Sequence, residues 1–272
     1  MESITLADPS SKVTLHGAVR TSGHSVVRIG ESVRECEIEI VVEDEASWDV
    51  TVIACSSAPF VSAPAFASEL RTGRQGDTQL KITQRHTIGT GARLTVHIIT
   101  LHPQVDHQLV SHVMGADSES GIDWMFYGKG TDRQTLNVQN IFDGRAGRGE
   151  ILMRGIAEDR AQSVCNGMIE IGLKGGGTNT YLTQEVLMLD PTAKVDAVPG
   201  LEIKTNDVKA SHSATVTRLT PEDLFYFASR GIPKKEARAM YVLGFLGAIT
   251  ERIGEESVRE EIVKMIGEKY EA

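Results

Sequence analysis

The residues best able to do chemistry in this 272-residue chain are its histidines, cysteines and glycine-rich loops. Five of the eight histidines lie between His86 and His112, and His102, His107 and His112 are spaced by five. In a strand, an odd spacing sends neighbours to opposite faces. In a helix, five residues rotate by about 140°, so they diverge again. Asp106 is the only acid between His102 and His112, and no cysteine is near, so no set with metal-ligand spacing emerges. Surface histidines are expected. Cys36, Cys55 and Cys165 form no CxxC pair, and Cys165, within the strand-like stretch Ala161–Gly167, reads as a buried, inert thiol.

Gly172-Leu173-Lys174-Gly175-Gly176-Gly177-Thr178 has the glycines of a phosphate loop in the wrong order, because the lysine precedes them. Gly144-Arg145-Ala146-Gly147-Arg148-Gly149 has no lysine at all. Both are expected to be turns. No GxSxG elbow and no paired carboxylates stand out. The chain is expected to be no enzyme and to hydrolyse no nucleotide, which favours a scaffold or binding role.

The elements that would carry these residues alternate with period two from about Val13 to Leu189. Cys36, Ile38 and Ile40 interleave with Glu35, Glu37 and Glu39; Trp48, Val50, Val52 and Ala54 repeat the pattern. So do Leu80 with Ile82, and Leu94 with Val96 and Ile98. Ile151 with Met153, then Met168, Ile169 and Ile171, follow less cleanly. Such alternation buries one face of each short strand. Turn-forming stretches separate them at Gly73–Gly76, Gly115–Gly121, Gly144–Gly149 and Gly175–Asn179. No long amphipathic helix interrupts the region, so a sandwich, a barrel and a β-solenoid stay open. No strict repeat is visible.

At Thr220 the character changes. Thr220-Pro221-Glu222-Asp223 predicts a helix start, with threonine as N-cap, proline at N1 and an acid at N3. The short helix ends at Arg230, and Gly231 suits a left-handed C-cap. A second helix is expected from Pro233 to about Ile253, with Ala237, Met240, Tyr241, Gly244, Phe245 and Ala248 on one face. A third runs from about Glu255 to Tyr270 on Val258, Ile262, Met265 and Ile266. The expected organisation is a β body over 1–219 and a helical segment over 220–272. Phe225, Tyr226 and Phe227 are consecutive, so one stripe cannot bury all three. Either two pack on the β body and one faces a partner, or the tail buries them all.

Composition bounds the partners. Apolar residues make 40% and charged residues 24%, as in an ordinary soluble globular protein. A net charge of −9 with 5% aromatics and no basic cluster argues against nucleic acid. No apolar run approaches the ~18 residues of a membrane span. The opening MESITLADPSSK lacks a basic and an apolar region, so no signal peptide is expected. An odd cysteine count fits a reducing compartment, and the cytoplasm is the expected location.

One resemblance runs from about Thr135 to Ile253. Val198-Pro199-Gly200-Leu201-Glu202-Ile203, then Asn206-Asp207-Val208-Lys209-Ala210-Ser211-His212-Ser213-Ala214-Thr215, resembles the signature of the SufB/SufD family. Leu224-Phe225-Tyr226 and Ser229-Arg230-Gly231-Ile232 are also similar to that family, as are Arg154-Gly155-Ile156, Asp159-Arg160-Ala161 and Asn166-Gly167. The chain looks like a short, SufD-like or minimal archaeal-type member.

The resemblance implies a mainly β chain, a right-handed parallel β-helix with a small C-terminal α-helical segment. It implies a cytosolic iron–sulfur cluster assembly scaffold working with a SufC-type ABC ATPase, with an iron–sulfur cluster or iron held transiently at a subunit interface. A homodimer is implied, or a SufB/SufD-like heterodimer. His212 matches the family's interface histidine, and imidazole can ligate iron. The cysteine that SufD-like chains place two residues before it is Ala210 here; the flanking glutamates of SufB are Ser211 and Ser213. Gln184, beside Glu185, stands where SufB has its interface cysteine. Clusters are normally held by thiolates, so Glu185 and His212 are the remaining candidate metal ligands. Phe225, Tyr226, Arg230, Gly231, Ile232 and Phe245 are the candidate ATPase-docking residues. The competing expectation is an adaptor that binds the ATPase but ligates no metal.

Overall fold

The computed structural model describes residues 2–18, 20–55 and 79–272, so the turn expected at Gly73–Gly76 lies outside the described residues. Among the described residues, fifteen strands and three helices follow in chain order. The odd-numbered strands make one sheet: β1 (Glu2–Leu6), β3 (Ser22–Ile29), β5 (Ser47–Ala54), β7 (Arg93–Thr100), β9 (Glu119–Gly128), β11 (Arg148–Ala157), β13 (Asn179–Met188) and β15 (Lys209–Arg218). The even-numbered strands make the other: β2 (Ser10–Gly17), β4 (Glu35–Val42), β6 (Leu80–Ile88), β8 (Gln104–Val113), β10 (Arg133–Phe142), β12 (Gln162–Ile171) and β14 (Lys194–Ile203).

Every pairing is parallel and joins strands two apart in sequence. The chain therefore winds as a parallel β-solenoid, each turn laying one strand on each sheet. Of the three architectures that alternation left open, the structure has the solenoid. Its pitch in sequence is irregular: Glu2 pairs with Ser25, a step of 23 residues, whereas Gln162 pairs with Lys194, a step of 32. Ser47 pairs with Arg93 across 46 residues, a step that contains 56–78. That irregularity is why no repeat shows in the sequence.

Between the sheets lies a core of inward-facing residues, among them Ile38, Val50, Leu94, Trp124, Leu136, Ile151, Cys165 and Leu182. The even sheet has one dry face, so β10 alternates strictly, with Gln134, Leu136, Val138, Asn140 and Phe142 buried. The odd sheet is covered on both sides. On β9, Ile122, Trp124 and Phe126 face the solenoid core, while Met125 and Tyr127 face outward into a second core. Continuous burial of that kind blurs the period-two signal, as expected for a parallel sheet with both faces covered.

The second core is closed by α2 (Lys234–Thr250) and α3 (Glu256–Glu271), which contribute Val242, Leu246, Ile249, Val258, Ile262, Met265 and Ile266. Each such side chain is worth roughly 1.5–3 kcal/mol when removed from water. The ion pairs that tie the helices to the sheet, such as Arg238–Glu158 and Lys269–Asp132, are largely buried, where the cost of desolvation offsets their attraction, so apolar burial holds the helices and the charges orient them. The α3 stripe matches expectation. The α2 stripe matches in part: Ala237 is buried and Tyr241 and Phe245 pack on the second core, but Met240 and Gly244 are exposed, and Val242, Leu246 and Ile249 supply most of the buried face. Two apolar stripes exist on α2, and only packing on the sheet selects between them.

The glycine-rich stretches expected to be turns lie at one corner of the solenoid, each running into the next strand. There Glu45, Gly91, Asp117, Ala146 and Gly177 all adopt a left-handed backbone, with φ between 55° and 83°. They stack: Glu45 N–H donates to Thr90 O (2.8 Å), Gly91 to Ala116 O (2.8 Å), Asp117 to Arg145 O (2.8 Å), Ala146 to Gly176 O (2.9 Å) and Gly177 to Asp207 O (2.6 Å). The ladder of the sheets thus continues around the corner. Successive turns approach so closely that a Cβ on Gly144 would stand 1.8 Å from the carbonyl oxygen of Gly115.

Candidate functional site

The histidines depart most from expectation. His86, His97, His102 and His107 are buried, not surface residues. His86 and His107 point into the solenoid core, joined through Gln84 at 2.8 and 3.1 Å. Burial drives both well below the ordinary range, to about 3, so both are neutral. The amide oxygen of Gln84 must accept from His107 Nε2–H, and its NH₂ must donate to His86 Nε2; this fixes opposite tautomers. His107 also meets the edge of Trp124, with ring centroids 4.6 Å apart. Burial lowers His102 to about 4.

His97 behaves oppositely. Burial alone would depress it, but Asp123 (3.1 Å) and Asp49 (3.4 Å) outweigh that and raise it to about 9. It is an imidazolium beneath the end of α2, where Arg252 reaches Asp123 (2.6 Å) and Glu150 (3.1 Å). Of the five from His86 to His112, His112 alone is half-exposed, paired with Asp143 at 2.6 Å. Asp49 and Asp123 meet opposite nitrogens of His97, and among the described residues no group of three His, Cys, Asp or Glu side chains is arranged to hold a metal ion.

All three cysteines are buried and none is in a disulfide. Burial pushes Cys36 up to about 12 and raises Cys165 further, which leaves both as thiols. Gln184 is buried as well, and its amide donates to the Cys165 carbonyl at 3.0 Å.

His212 sits on β15, the last strand of its sheet, which hydrogen-bonds β13 on one side and, among the described residues, no strand on the other. It pairs in register with Leu182, a core residue, and Ala210 beside it packs on the core. His212 therefore continues the inward column, and it is exposed because no further strand lies over it. Ser211 and Ser213 face outward, as do their register partners Tyr181 and Thr183. Glu185 faces outward too. It forms an ion pair with Arg154, whose guanidinium also donates to the Phe245 carbonyl (3.3 Å) and lies 5.1 Å from the centre of its ring. The two candidate ligands thus occupy opposite faces of one sheet.

The candidate docking residues divide. The Thr220 cap forms as expected: Thr220 Oγ1 accepts from Asp223 N–H (3.2 Å), and the Asp223 carboxylate accepts from Thr220 N–H (2.9 Å). It starts α1 (Pro221–Ala228), which has no buried residue. Phe225 is 73% exposed and Tyr226 54%. Phe227 alone packs, against Tyr241 at 5.4 Å, so one aromatic is sheltered and two face water. Arg230 lies over Tyr226, 4.4 Å from its ring centre. Gly231, at φ 79°, lets Ile232 N–H turn back to Phe227 O (3.1 Å). Ile232 and Phe245 are half-buried. The sequence missed Met240 and Leu243 of α2, which add exposed apolar surface. The second apolar stripe of α2 was the available signal.

The fold is thus of the parallel β-solenoid class, with an edge strand at its end and exposed aromatics on an appended helix. The profile of the family described as SUF system FeS cluster assembly, SufBD core domain, matches residues 4–245. The chain belongs to this SufBD family. It is 37% identical to the iron–sulfur cluster assembly protein SufD of Bacillus subtilis over 142 residues, 52% of this chain and 32% of the relative. It is 35% identical to SufD of Escherichia coli over 118 residues, 43% and 28% of the two chains. An iron–sulfur cluster assembly SufBD family protein of Mycobacterium tuberculosis is 38% identical over 112 residues, 41% and 28%. The matched stretches span about a third or less of these relatives. No described helix is long and apolar enough to cross a membrane.

Proposed function

We propose that this chain serves iron–sulfur cluster assembly as a non-enzymatic SufBD scaffold subunit in the cytoplasm. Its open β15 edge pairs with a second subunit, a copy of itself or a SufB-like partner. Its α1–α2 surface, Phe225 and Tyr226 with Met240 and Leu243, docks a SufC-type ABC ATPase. The observation that carries the proposal is the placement of His212: an exposed imidazole on an edge strand, continuing a core column. An edge of this kind invites strand pairing. Pairing would bring two such columns together and enclose His212 with groups from both subunits. Iron or a labile cluster is the cargo of that interface, and His212 is its first ligand. Glu185 serves the cargo only by leaving Arg154.

A second reading has its own support. The described cysteines are buried, and Cys36 and Cys165 are held as thiols, so this chain offers the edge no thiolate. A subunit that docks the ATPase and completes the complex, with ligands supplied by the other subunit, fits that distribution. Iron and acid-labile sulfide in anaerobically co-purified complex decide between them. Loss of both in His212→Ala supports cargo ligation. An intact complex without iron or sulfide after reconstitution supports the adaptor. A chain truncated after Thr220 that still binds the ATPase would refute the docking assignment.

A further inference from the structure

We infer that Arg154 is a positioning residue that couples the placement of α2 to the open β13–β15 edge. The inference rests on the proposed function for its purpose, but its geometry stands alone. The other charged anchors of α2 lie near its two ends. Arg238, near the start, binds Glu158 (3.0 Å) and Asp190 (2.9 Å), and Arg252, just past the end, binds Asp123 and Glu150. In both, the helical segment supplies the cation and the β body the acids.

Arg154 reverses that polarity. It rises from β11 and serves two masters at once: Glu185 on β13 and the backbone carbonyl of Phe245 in α2. Glu185 pairs in register with Thr215 of β15, so the bridge ends one strand from the open edge. Arg154 Nε is buried and has no hydrogen-bond partner, so the present arrangement leaves the guanidinium unsaturated. A small turn of α2 that withdraws Phe245 therefore changes what holds Glu185.

A second route between helices and edge is covalent. β15 ends at Arg218, and α1 begins at Pro221. Leu219 N–H still donates to Met188 O (3.0 Å), so the ladder of β15 runs almost to the Thr220 cap. A partner that grips α1 and α2 together pulls on β15 through Thr220 and on β13 through Arg154. Without Arg154 the middle of β13 loses its tie to α2, leaving Arg238 at Leu189 and Asp190, just past the end of the strand, as the remaining polar link, so the two strands should move together less.

Hydrogen exchange on the full chain tests this in two arms. In the chain alone, Arg154→Gln should speed exchange about tenfold both around Phe245 and along β13 and β15, as expected for losing a hydrogen bond to a charged group. Glu185→Gln should do the same, and Arg154→Lys should restore only part. A variant that loosens Phe245 but leaves β13 and β15 unchanged would overturn the coupling. In the second arm, with SufC-type ATPase added, Arg154→Gln should bind as well as wild type. ATP should change β15 protection in the wild-type complex and leave it unchanged in Arg154→Gln. Binding with that change intact would also overturn the inference. Failure of wild type to bind the ATPase would instead overturn the proposed function, and the first arm would still decide the coupling.

Discussion

Glu185 and His212 stand on adjacent strands, three register steps apart, and point to opposite faces of the sheet. His212 continues the column of Leu182 toward solvent. Glu185 faces the helices and is already paired with Arg154. Two residues that look like one ligand pair in sequence therefore have separate duties, and their substitutions should separate as well.

His212→Ala removes an exposed side chain with no partner in this chain, so its stability to urea should stay within about 0.5 kcal/mol of wild type. Iron in the co-purified complex should fall. Glu185→Ala strands the half-buried guanidinium of Arg154 and should cost about 1–2 kcal/mol in the same titration. Equal losses of stability in the two variants would contradict the opposed placement.

Acid should destabilise the fold through its core histidines. His86 and His107 at about 3, and His102 at about 4, bind protons less readily when folded than in the unfolded chain, where histidine titrates near 6.5. Their contribution is complete above about pH 6.5 and declines as pH falls toward 4, by up to about 1.4 kcal/mol per pH unit for each histidine. His97 works the other way. Its folded value of about 9 exceeds the unfolded one, so its contribution is complete below about 6.5 and is lost as pH rises through 9. Urea midpoints measured from pH 4 to 10 should peak near neutrality. His97→Gln should flatten the alkaline side, and Gln84→Leu should leave that side unchanged.

The corner ladder gives two substitutions of opposite sign. Gly144→Ala places a methyl against backbone that cannot yield and should cost about 3 kcal/mol or more. Ala146, at φ 55°, holds a conformation that costs an L-residue about 1–2 kcal/mol. Ala146→Gly relieves that strain against an entropic penalty of about 0.5–1 kcal/mol, so a small gain in melting temperature is expected. A clear loss would show that the alanine methyl packs favourably enough to outweigh its backbone.

The exposed aromatics of α1 should matter for binding and not for folding. Phe225→Ala and Tyr226→Ala should leave the melting temperature within about 2 °C. They should weaken ATPase binding by at least about tenfold, since aromatic anchors carry much of an interface's energy. Titration calorimetry with the purified ATPase reads this directly, and unchanged affinity in both variants would move the docking site elsewhere.

Local chemistry was legible in the sequence. Alternation at Cys36–Ile40 and Leu94–Ile98 marked true inward faces, the glycine runs marked turns, and Thr220 to Asp223 formed the capping box it spelled. These depend on a residue and its near neighbours. The segment around His212 pointed to the family for the same reason.

The tertiary structure decided what depends on distant neighbours. Parallel strands pair across 23 to 46 residues, and no local signal carries so irregular a step. His86 and His107 are buried because a second sheet closes over them, and they stay neutral because no charge is there to pay for ionisation. α2 had two apolar stripes, and contact with the odd sheet chose one. Glu185 lies one strand away from His212 yet on the other face, since one is odd and one even in register with the core column. The sequence by itself thus determined the pieces and the family. Which faces met, and so which residues were free to meet another molecule, was settled by long-range packing alone.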